Sequence, residues 1–210
     1  MGRNIYKING TVKMLYFWIL CVFLIPHIIL YYISEKKTIE EDVKRWIDCT
    51  VQESHGTVLD LCFLLTFFQE YRNLFYLRIG FWQFFLKWYI RPLSSLKIDT
   101  PSKMVGAGTF IQHGFATIIV AEKIGRNCWI NQQVTIGFNY SKKYGFGKPT
   151  IEDNVRISCG AKVLGKITVG EGSIIGANAV VVKDVPPHSV VIPSPTMVIK
   201  EQGESVYKKL

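Results

Sequence analysis

Histidine is the residue in this sequence best suited to acid–base chemistry at neutral pH. The chain has four, and only His113, in the run Ile-Gln-His-Gly, lies within a region of regular repeats; the others are His27, His55 and His188. A zinc site built from imidazoles needs about three of them, so a single histidine argues against a metalloenzyme. One histidine suits general-base deprotonation of an alcohol, which needs neither a metal nor a covalent intermediate. Many lone surface histidines have no such role, and that alternative stays open.

The only long interruption of the repeats lies about two coils after His113. It runs between Ile136 and Ile151 and reads FNYSKKYGFGKPT, so it must bulge out of the regular structure. Loops on a regular scaffold are where binding and catalytic sites are often built. Gly114, next to His113, allows a ligand to approach the backbone. We therefore expect His113 and this loop to line one groove.

The elements that position these residues repeat with a period of six. Aliphatic residues recur in phase, apart from one slip and the loop, at Val105, Ile111, Ile124, Ile130, Ile136, Ile151, Ile157, Val163, Val169, Ile175 and Val181. This period is neither helical nor the simple alternation of an ordinary strand. It is typical of a parallel β-helix of hexapeptide repeats, in which each run forms one face and three runs form one triangular coil. The aliphatic residues are expected to point inward and stack.

The net charge and the cysteine content of the chain indicate which kinds of binding partner and cellular compartment suit it. The chain has 210 residues, a formal net charge of +9, a pI near 9.3 and a mean hydropathy of +0.19, with most of the hydrophobic excess before residue 95. Such a charge favours an anionic partner, for example a phosphorylated cofactor or an acidic membrane surface. The basic residues are scattered, which makes nucleic acid the weakest of these options. Five cysteines without a C-x-x-C pair argue against a disulfide framework or zinc site and fit a reducing compartment.

Residues 1–97 are predicted to form a helical, hydrophobic N-terminal region. Residues 14–33 are almost wholly apolar, and we weigh a buried helix, an in-plane or re-entrant membrane segment and a true span equally. Residues 70–90 combine aromatic with basic side chains, which suits a helix buried against the repeats or an interfacial membrane helix. The β-helix is expected over 98–199, followed by a basic C-terminal tail, 200–210, without fixed structure.

The repeat region resembles the serine acetyltransferase branch of the left-handed β-helix acyltransferases. The resemblance rests on VGAGTFIQHGFATIIVAEKIGRNCWINQQVTIG, on the loop ending in KPTIEDNV, and on GAKVLGKITVGEGSIIGANAVVVKDVPPHSVV. It covers residues 98–199, about half of the chain. It implies a left-handed parallel β-helix, a homotrimer, and transfer of an acetyl group from acetyl-CoA to a hydroxyl.

The same resemblance implies roles for individual residues. His113 would be the general base, and backbone N–H groups near Gly137 would stabilise the oxyanion. The pantetheine arm of CoA would run along the coils after the loop, at Cys159, Ala161, Ala177 and Lys183. The ammonium of Lys183 has a further reason to be there, since it can pair with CoA phosphates. An ordinary solvated lysine is the equal alternative.

Two departures from that family bear on the acceptor. Gln112 stands where the family has Asp before the histidine, and Lys148 stands where it has a second His. Gln112 cannot neutralise the ammonium of serine, and Lys148 would repel it. The carboxylate that would orient His113 falls on Ile98, with Asp99 one position off and therefore turned to the other side. These departures favour a saccharide acceptor, on a surface polysaccharide or a lipid-linked precursor, over free serine.

Other functions remain open at this stage. Serine O-acetyltransferase is the first alternative, and transfer to an amine is another. A different class is a trimeric β-helix that acts only as a scaffold or binding module. We expect a cytoplasmic location, in the cytosol or on the cytoplasmic face of a membrane, and no metal or nucleic acid partner.

Overall fold

The computed structural model describes residues 11–50, 53–143, 145–193, 197–201 and 204–209. Helices come first along the chain and short strands follow. The helices are α1 (Thr11–Phe23), α2 (Ile25–Ile33), α3 (Lys36–Thr50), α4 (Thr57–Phe67), α5 (Gln69–Ile79) and α6 (Gln83–Leu86), with 3₁₀ turns at Gly80–Trp82 and Ser102–Met104.

Most of the strands belong to three parallel sheets that form the faces of a prism. The described strands, in chain order, are β1 (Leu96–Ile98), β2 (Phe110–Ile111), β3 (Thr117–Ile119), β4 (Lys123–Ile124), β5 (Trp129–Ile130), β6 (Thr135–Gly137), β7 (Asn139–Ser141), β8 (Gly145–Gly147), β9 (Thr150–Ile151), β10 (Arg156–Ile157), β11 (Lys162–Leu164), β12 (Thr168–Val169), β13 (Ile174–Ile175), β14 (Val180–Val181), β15 (Val190–Val191), β16 (Met197–Glu201) and β17 (Glu204–Lys209). Strands β7 and β8, and likewise β16 and β17, form separate antiparallel pairs. The faces have the orders β1-β3-β6-β11-β14, β15-β13-β10-β5-β2 and β12-β9-β4. The sequence-based prediction of a left-handed parallel β-helix preceded by a helical region is confirmed.

The interior of the prism is built by the repeat. All eleven in-phase aliphatic residues are buried, from Val105 at 4% exposure to Val181 at 5%. In the register of the sheets Ile130 lies beside Ile157, and Ile157 beside Ile175, so each inward residue stacks on its equivalent in the next coil. The slip in phase before Ile124 is filled by Ile119, which is also buried. The period of six therefore sets both the fold and its register.

The corners of the prism require a left-handed backbone. Non-glycine residues with positive φ recur there, including His113 (φ 60°), Asn127 (φ 55°), Asn154 (φ 59°), Asn178 (φ 60°) and His188 (φ 55°). Side chains such as Asn and His tolerate this conformation better than branched ones do. His113 thus has the same left-handed backbone conformation as several other corner residues. This conformation is a general feature of the prism corners and is not specific to His113.

The N-terminal helices are interrupted where the sequence alone suggested continuous segments. The apolar run 14–33 breaks at Leu24 into α1 and α2, with Pro26 in the first turn of α2, a position that proline tolerates. The aromatic segment 70–90 breaks at Gly80, whose φ of 57° ends α5. Helix α5 is buried, which agrees with the first of the two alternatives weighed for this segment, whereas 81–88, which follows it, exposes most of its large side chains.

A large apolar face remains on the outside of the helical region. Its exposed members are Trp18, Ile19, Val22, Phe23, Ile25, Ile29, Tyr32, Ile33, Phe81, Trp82, Phe84, Phe85 and Trp88. The two parts of this face adjoin, because the Tyr89 hydroxyl donates to the Phe23 carbonyl at 3.1 Å. Within the described ranges, no helix combines the length and apolarity that crossing a bilayer demands.

A buried ion pair ties the helices to the first coil. The Arg78 guanidinium on α5 contacts the Asp42 carboxylate on α3 at 2.9 Å, and both side chains are 1% exposed. Arg78 also donates to the carbonyls of Val105 (2.7 Å) and Gly106 (3.1 Å), while the Gly108 N–H donates to Asp42 at 2.7 Å. Two helices and the start of the prism thus share one polar cluster.

The segment after the prism differs from the expected unstructured tail. Strand β16, which begins at Met197 before the basic tail assigned to residues 200–210, pairs in antiparallel fashion with β17, which lies within that tail. The pairing involves only these two strands, and the ladder is irregular between Val198 and Lys200.

Candidate active site

His113 follows β2, at a corner of the prism. Its left-handed backbone turns the chain out of the β2 face, and its side chain is exposed. Ile111, two residues before His113, points into the prism and is 1% exposed, which fixes the position of the corner. The His113 side chain is therefore accessible from outside the prism, as a general base would require.

A cavity of about 270 Å³ lies beside His113, between the helices and the first coils. It is lined by Trp46, Cys49 and Thr50 of α3, by Phe67, Phe68 and Glu70 at the junction of α4 and α5, and by Phe110, Ile111, Gln112 and His113. Aromatic walls with a few polar groups are typical of small-molecule sites. Gln112 and His113, both assigned to the site from sequence, are thus brought together.

Gln112 is held in one orientation by two donors. Trp129 Nε1 donates to Gln112 Oε1 at 3.2 Å, and Asn131 Nδ2 donates to the same oxygen at 3.0 Å. The oxygen end of the amide is therefore engaged within the protein, and the Nε2 end, a donor, is the end left to meet a ligand. A donor suits a carboxylate, carbonyl or hydroxyl of the acceptor.

Glu70 is the site residue that sequence reasoning missed. It is half-buried in the first turn of α5, and its Cγ lies 3.0 Å from where a Cβ at residue 114 would stand. Gly114 therefore gives α5 the space to approach the His113 corner. Asp99, considered from sequence as a partner of His113, lines a different cavity with Asn73 and Lys87.

Cys49 is the thiol that lines the same cavity. Burial raises the pKa of Cys49, and the nearby Arg45 opposes this only in part. A thiol held in its protonated form is a poor nucleophile. The arrangement therefore suits a histidine base better than a covalent cysteine mechanism.

The loop predicted between Ile136 and Ile151 is a β-hairpin made of β7 and β8. Phe138 and Phe146 stack across its base with ring centroids 5.2 Å apart, and Lys148 Nζ lies 5.5 Å from the Phe138 ring. Lys148 also faces Glu122 at 3.9 Å. Among the described residues no hydrogen bond or ion pair joins Lys148 to His113, so the shared groove stays a prediction.

The remaining residues expected at the site lie along later coils. Gly137 ends β6 and pairs with Leu164 in the next coil. Cys159 and Ala177 lie in successive coils, where the Asn178 N–H donates to the Cys159 carbonyl at 2.9 Å. Ala177 and Lys183 are exposed, Cys159 is half-buried and Ala161 is fully buried. Ala161 therefore offers a ligand no side-chain surface, and contact with CoA at these positions remains a prediction.

In the part of the chain that the structure describes, no group of three or more His, Cys, Asp or Glu side chains is arranged to hold a metal ion.

Comparison with known proteins agrees with the repeat. Residues 148–183 match the family model described as bacterial transferase hexapeptide (six repeats). Over 111 residues the chain is 44% identical to serine acetyltransferase of Bacillus subtilis (strain 168), which covers 52% of this chain and 51% of that protein. Over 117 residues it is 42% identical to serine acetyltransferase of Synechococcus elongatus, covering 55% and 47%. The chain thus spans about half the length of the curated relatives it matches.

Solved structures extend the likeness across both regions. Serine acetyltransferase 1 of Entamoeba histolytica, in complex with L-cysteine, aligns with a TM-score of 0.56 and 25% identity over 84% of this chain and 68% of that one. Serine acetyltransferase of Neisseria gonorrhoeae, in complex with serine, aligns with a TM-score of 0.53 and 21% identity over 90% and 78%. The latter likeness concerns the fold alone. The repeat half of this chain is therefore a left-handed β-helix of the hexapeptide type, similar to that of the serine acetyltransferases.

Proposed function

We propose that this protein is an acetyl-CoA-dependent O-acetyltransferase in which His113 is the general base. The observation that carries the proposal is the position of His113, exposed at a prism corner and lining a cavity with Gln112 and Glu70. The matching relatives are named serine acetyltransferases, which supports the same chemistry. We also propose the division of the chain into a helical region (1–97), a catalytic β-helix (98–199) and a tail (200–210).

The reaction needs one base and one oxyanion site. The His113 imidazole takes the proton of the acceptor hydroxyl while the oxygen attacks the thioester carbonyl of acetyl-CoA. The tetrahedral intermediate then expels the CoA sulfur, which receives a proton from the imidazolium, and the acetyl ester is released. Backbone N–H groups near Gly137 are the proposed stabilisers of the oxyanion. Cys159, Ala161, Ala177 and Lys183 are the proposed CoA contacts.

Serine is the acceptor that the comparisons favour. The relatives carry that substrate in their name, so the saccharide preferred from sequence is less well supported than its alternative. A saccharide hydroxyl remains the second candidate because of two observations. Gln112 presents a donor instead of a carboxylate, and Lys148 places a cation at the hairpin. A panel of L-serine and saccharide acceptors, read out as released CoA thiol, separates the two.

We further propose a homotrimer, located in the cytoplasm, whose helical regions contact the surface of an anionic membrane. Support for the membrane contact comes from the apolar face around Trp88 and from the charges beside it. Residues 71–98 include no Asp or Glu, while Arg91 and Lys97 are exposed. Aromatic side chains at headgroup level with cations near lipid phosphates are typical of interfacial segments.

His113→Ala tests the proposed chemistry. Removal of a general base is expected to lower the acceptor-dependent rate of CoA release by about 10²- to 10⁴-fold. His188→Ala is the matched control, because His188 is also exposed at a corner and also has positive φ (55°). A His113→Ala protein as active as the wild type would contradict the proposal and favour a scaffold or binding module. A rate retained only with amine acceptors would indicate N-acetyl transfer.

A further inference from the structure

A second cavity, of about 310 Å³, lies between α5, the segment 81–88 and the chain that leads into β1. None of the residues that line it also lines the cavity beside His113. Its charged residues are Lys87, Lys97 and Asp99. This volume is within the range of cavities that take small molecules. The proposed acetyl transfer leaves this cavity without a role.

The two lysines of this cavity lack an anionic partner. Among the residues whose positions the structure describes, no carboxylate lies within ion-pair distance of Lys87 or Lys97. The Lys87 Nζ lies instead 6.0 Å from the ring centroid of Phe84. Burial lowers the pKa of Lys87, and repulsion from Lys97 lowers it further. A bound anion would oppose both effects, because it would pair with the ammonium groups.

Carboxylates are scarce around the cavity. Every residue that lines it, apart from Asp99, comes from the stretch 71–98, which contains no Asp or Glu. Asp99 is exposed, and its backbone N–H donates to the Ile119 carbonyl at 2.9 Å. Its carboxylate weakens the attraction for an anion, but the two ammonium groups outweigh it. The cavity therefore favours a ligand with negative charge.

The wall that carries Lys97 is fixed to α5. The Asn73 amide on α5 donates to the carbonyls of Leu93 (3.0 Å) and Leu96 (3.1 Å), and its oxygen accepts from the Leu93 N–H at 2.8 Å. In β1, Leu96 is buried and Lys97 is exposed, as alternation along a strand requires. A site built on anchored elements keeps its geometry better than one on a loop.

Two neutral donors accompany the lysines. The Gln83 amide and the Ser94 hydroxyl line the cavity, and neither makes a side-chain hydrogen bond within the described part of the chain. Both can therefore donate to the oxygens of a ligand. A phosphate monoester has three terminal oxygens and a charge of about −1.5 to −2 at pH 7, so it matches two ammonium groups and two donors. A carboxylate, with one charge and two oxygens, matches them less well.

The cavity adjoins the exposed apolar face. Gln83 and Lys87 line the cavity, whereas Phe84 and Trp88 of the same segment are exposed. A phospholipid whose acyl chains met that face would bring its phosphate toward the lysines, since aromatic side chains at headgroup level and cations near phosphates occur together at membrane interfaces. A free phosphorylated metabolite offers the same chemical group.

We propose that the cavity between α5, the segment 81–88 and β1 is a binding site for a phosphate monoester, in which Lys87 and Lys97 pair with the phosphate. The inference does not depend on the proposed acetyl transfer. Where the phosphate belongs to a lipid, the inference rests on the proposed membrane contact and adds a headgroup preference to it.

Calorimetric titration with methyl phosphate and dimethyl phosphate tests the site without a membrane. Methyl phosphate is expected to bind at one site per chain, and dimethyl phosphate, a diester with a single charge, about 10-fold more weakly or less tightly still. Lys97→Gln should weaken methyl phosphate binding by about 10-fold, because it removes one charge-assisted contact. Lys123→Gln is the control, since Lys123 is an exposed lysine on β4 and its loss lowers the net charge equally.

Asp99→Asn gives a change in the opposite direction. The variant removes the negative charge that lines the cavity, so methyl phosphate should bind more tightly than to the wild type. Weaker binding by this variant would contradict the proposed pairing of the phosphate with the lysines.

Vesicles identify the source of the phosphate. Phosphatidylcholine vesicles that contain phosphatidic acid, a monoester, are compared with vesicles that contain phosphatidylglycerol, a diester, at equal zeta potential. A preference for phosphatidic acid that Lys97→Gln abolishes would indicate a lipid headgroup. Binding of methyl phosphate without such a preference would indicate a free phosphorylated metabolite. Either result supports the site.

Two results would overturn the assignment. The first is no binding of methyl phosphate at millimolar concentration together with equal binding of the two vesicle types. The second is an equal loss of affinity in Lys123→Gln and Lys97→Gln, which would show a general attraction of charge. In both cases binding to phosphatidylglycerol vesicles still reports on the proposed membrane contact, and release of CoA still reports on the proposed acetyl transfer.

Discussion

The two regions of this molecule bury their apolar residues in opposite ways. In the β-helix one inward position every six residues is aliphatic, and each such residue stacks on its counterpart in the next coil. In the helical region the core is a mixture of large aromatic residues, such as Trp46, Tyr71 and Tyr76, with buried His27, Asp42 and Arg78. The helices also leave an apolar face outside.

This difference shows where stability is local and where it depends on distant contacts. A β-helix coil is supported by the coils next to it, so loss of one contact has a local effect. The helical region is joined to the prism by a few contacts between residues far apart in sequence. Trp46 donates from Nε1 to the Thr109 carbonyl at 2.9 Å, and Arg78 reaches Val105. Substitutions that remove these hydrogen bonds and ion pairs between the helices and the prism should therefore lower the free energy of unfolding the most.

The largest effect on stability is expected for Asp42→Asn. The change leaves the buried Arg78 guanidinium without its carboxylate, which costs about 3–5 kcal/mol of unfolding free energy. Chemical denaturation would measure the loss. The control is Glu41→Gln, which removes an exposed ion pair between α3 and Arg126 of the prism and should cost at most about 1 kcal/mol. If both variants lost the same unfolding free energy, the buried Asp42–Arg78 pair would contribute no more to stability than the exposed Glu41–Arg126 pair.

A second prediction concerns mild acid. His27 is 0% exposed and lies between Tyr76 (3.1 Å) and Tyr89 (3.4 Å); burial first, and then Arg72, lower its pKa from 6.5 to about 4. The folded protein thus binds the His27 proton less tightly than the unfolded chain. Stability from this group is full above pH 6.5 and falls by about 3 kcal/mol as the pH drops to 4.

The comparison of wild type with His27→Phe isolates that contribution. The variant keeps the aromatic contacts of the site, and the Tyr76 hydroxyl still donates to the Ile90 carbonyl at 2.6 Å. Its unfolding free energy, measured by denaturant titration from pH 7 to pH 4, should fall less steeply than that of the wild type. Parallel curves would show that His27 is protonated equally in both states.

The smallest effect on stability is expected on the exposed apolar face. Phe84 is 69% exposed and Trp88 73% exposed, so the double change Phe84→Ser, Trp88→Ser should alter the unfolding free energy by about 0.5 kcal/mol or less. The same change should abolish co-sedimentation with phosphatidylglycerol vesicles, and neutral phosphatidylcholine vesicles should bind weakly from the start. Val190→Ser, at a 66% exposed position of the prism, should leave vesicle binding unchanged.

Another occupant of that face would give a different result. If a second copy of the chain covers Phe84 and Trp88, the double variant should form a smaller assembly in sedimentation velocity and bind vesicles no less than the wild type. That outcome would replace the membrane contact by a protein contact.

The prism was predictable because a short repeating pattern in the sequence determines which of its side chains point inward. Ile130, Ile157 and Ile175 occupy equivalent positions in successive coils, so period alone sets which side chains point inward. The basic tail was expected to lack structure, and the pairing of β16 with β17 had no comparable periodic signal. The helical breaks were harder to place because residues 14–33 are apolar on almost every side and residues 70–90 mix aromatic with basic side chains, and such segments do not show which face is buried.

The candidate site was predictable in part. His113 and Gln112 adjoin in sequence and therefore share the cavity, as expected. Glu70 was missed because it lies 43 residues before His113, and only the packing of α5 against the first coil brings it there. The available signal was Gly114, whose missing side chain makes room for that carboxylate. The pairing of Asp42 with Arg78 was likewise invisible to any local pattern.

The left-handed corners have a consequence for how new activities arise on this fold. Gln133 and Asn178 have positive φ like His113, and they follow β5 and β13 of the same sheet that contains β2, so this edge of the scaffold already accepts polar side chains in other coils. A histidine can therefore be introduced at either position by a single exchange that leaves the stacked interior untouched. For protein engineering, these corner positions are alternative sites for a catalytic side chain. The element that packs beside each position decides what chemistry that side chain can perform.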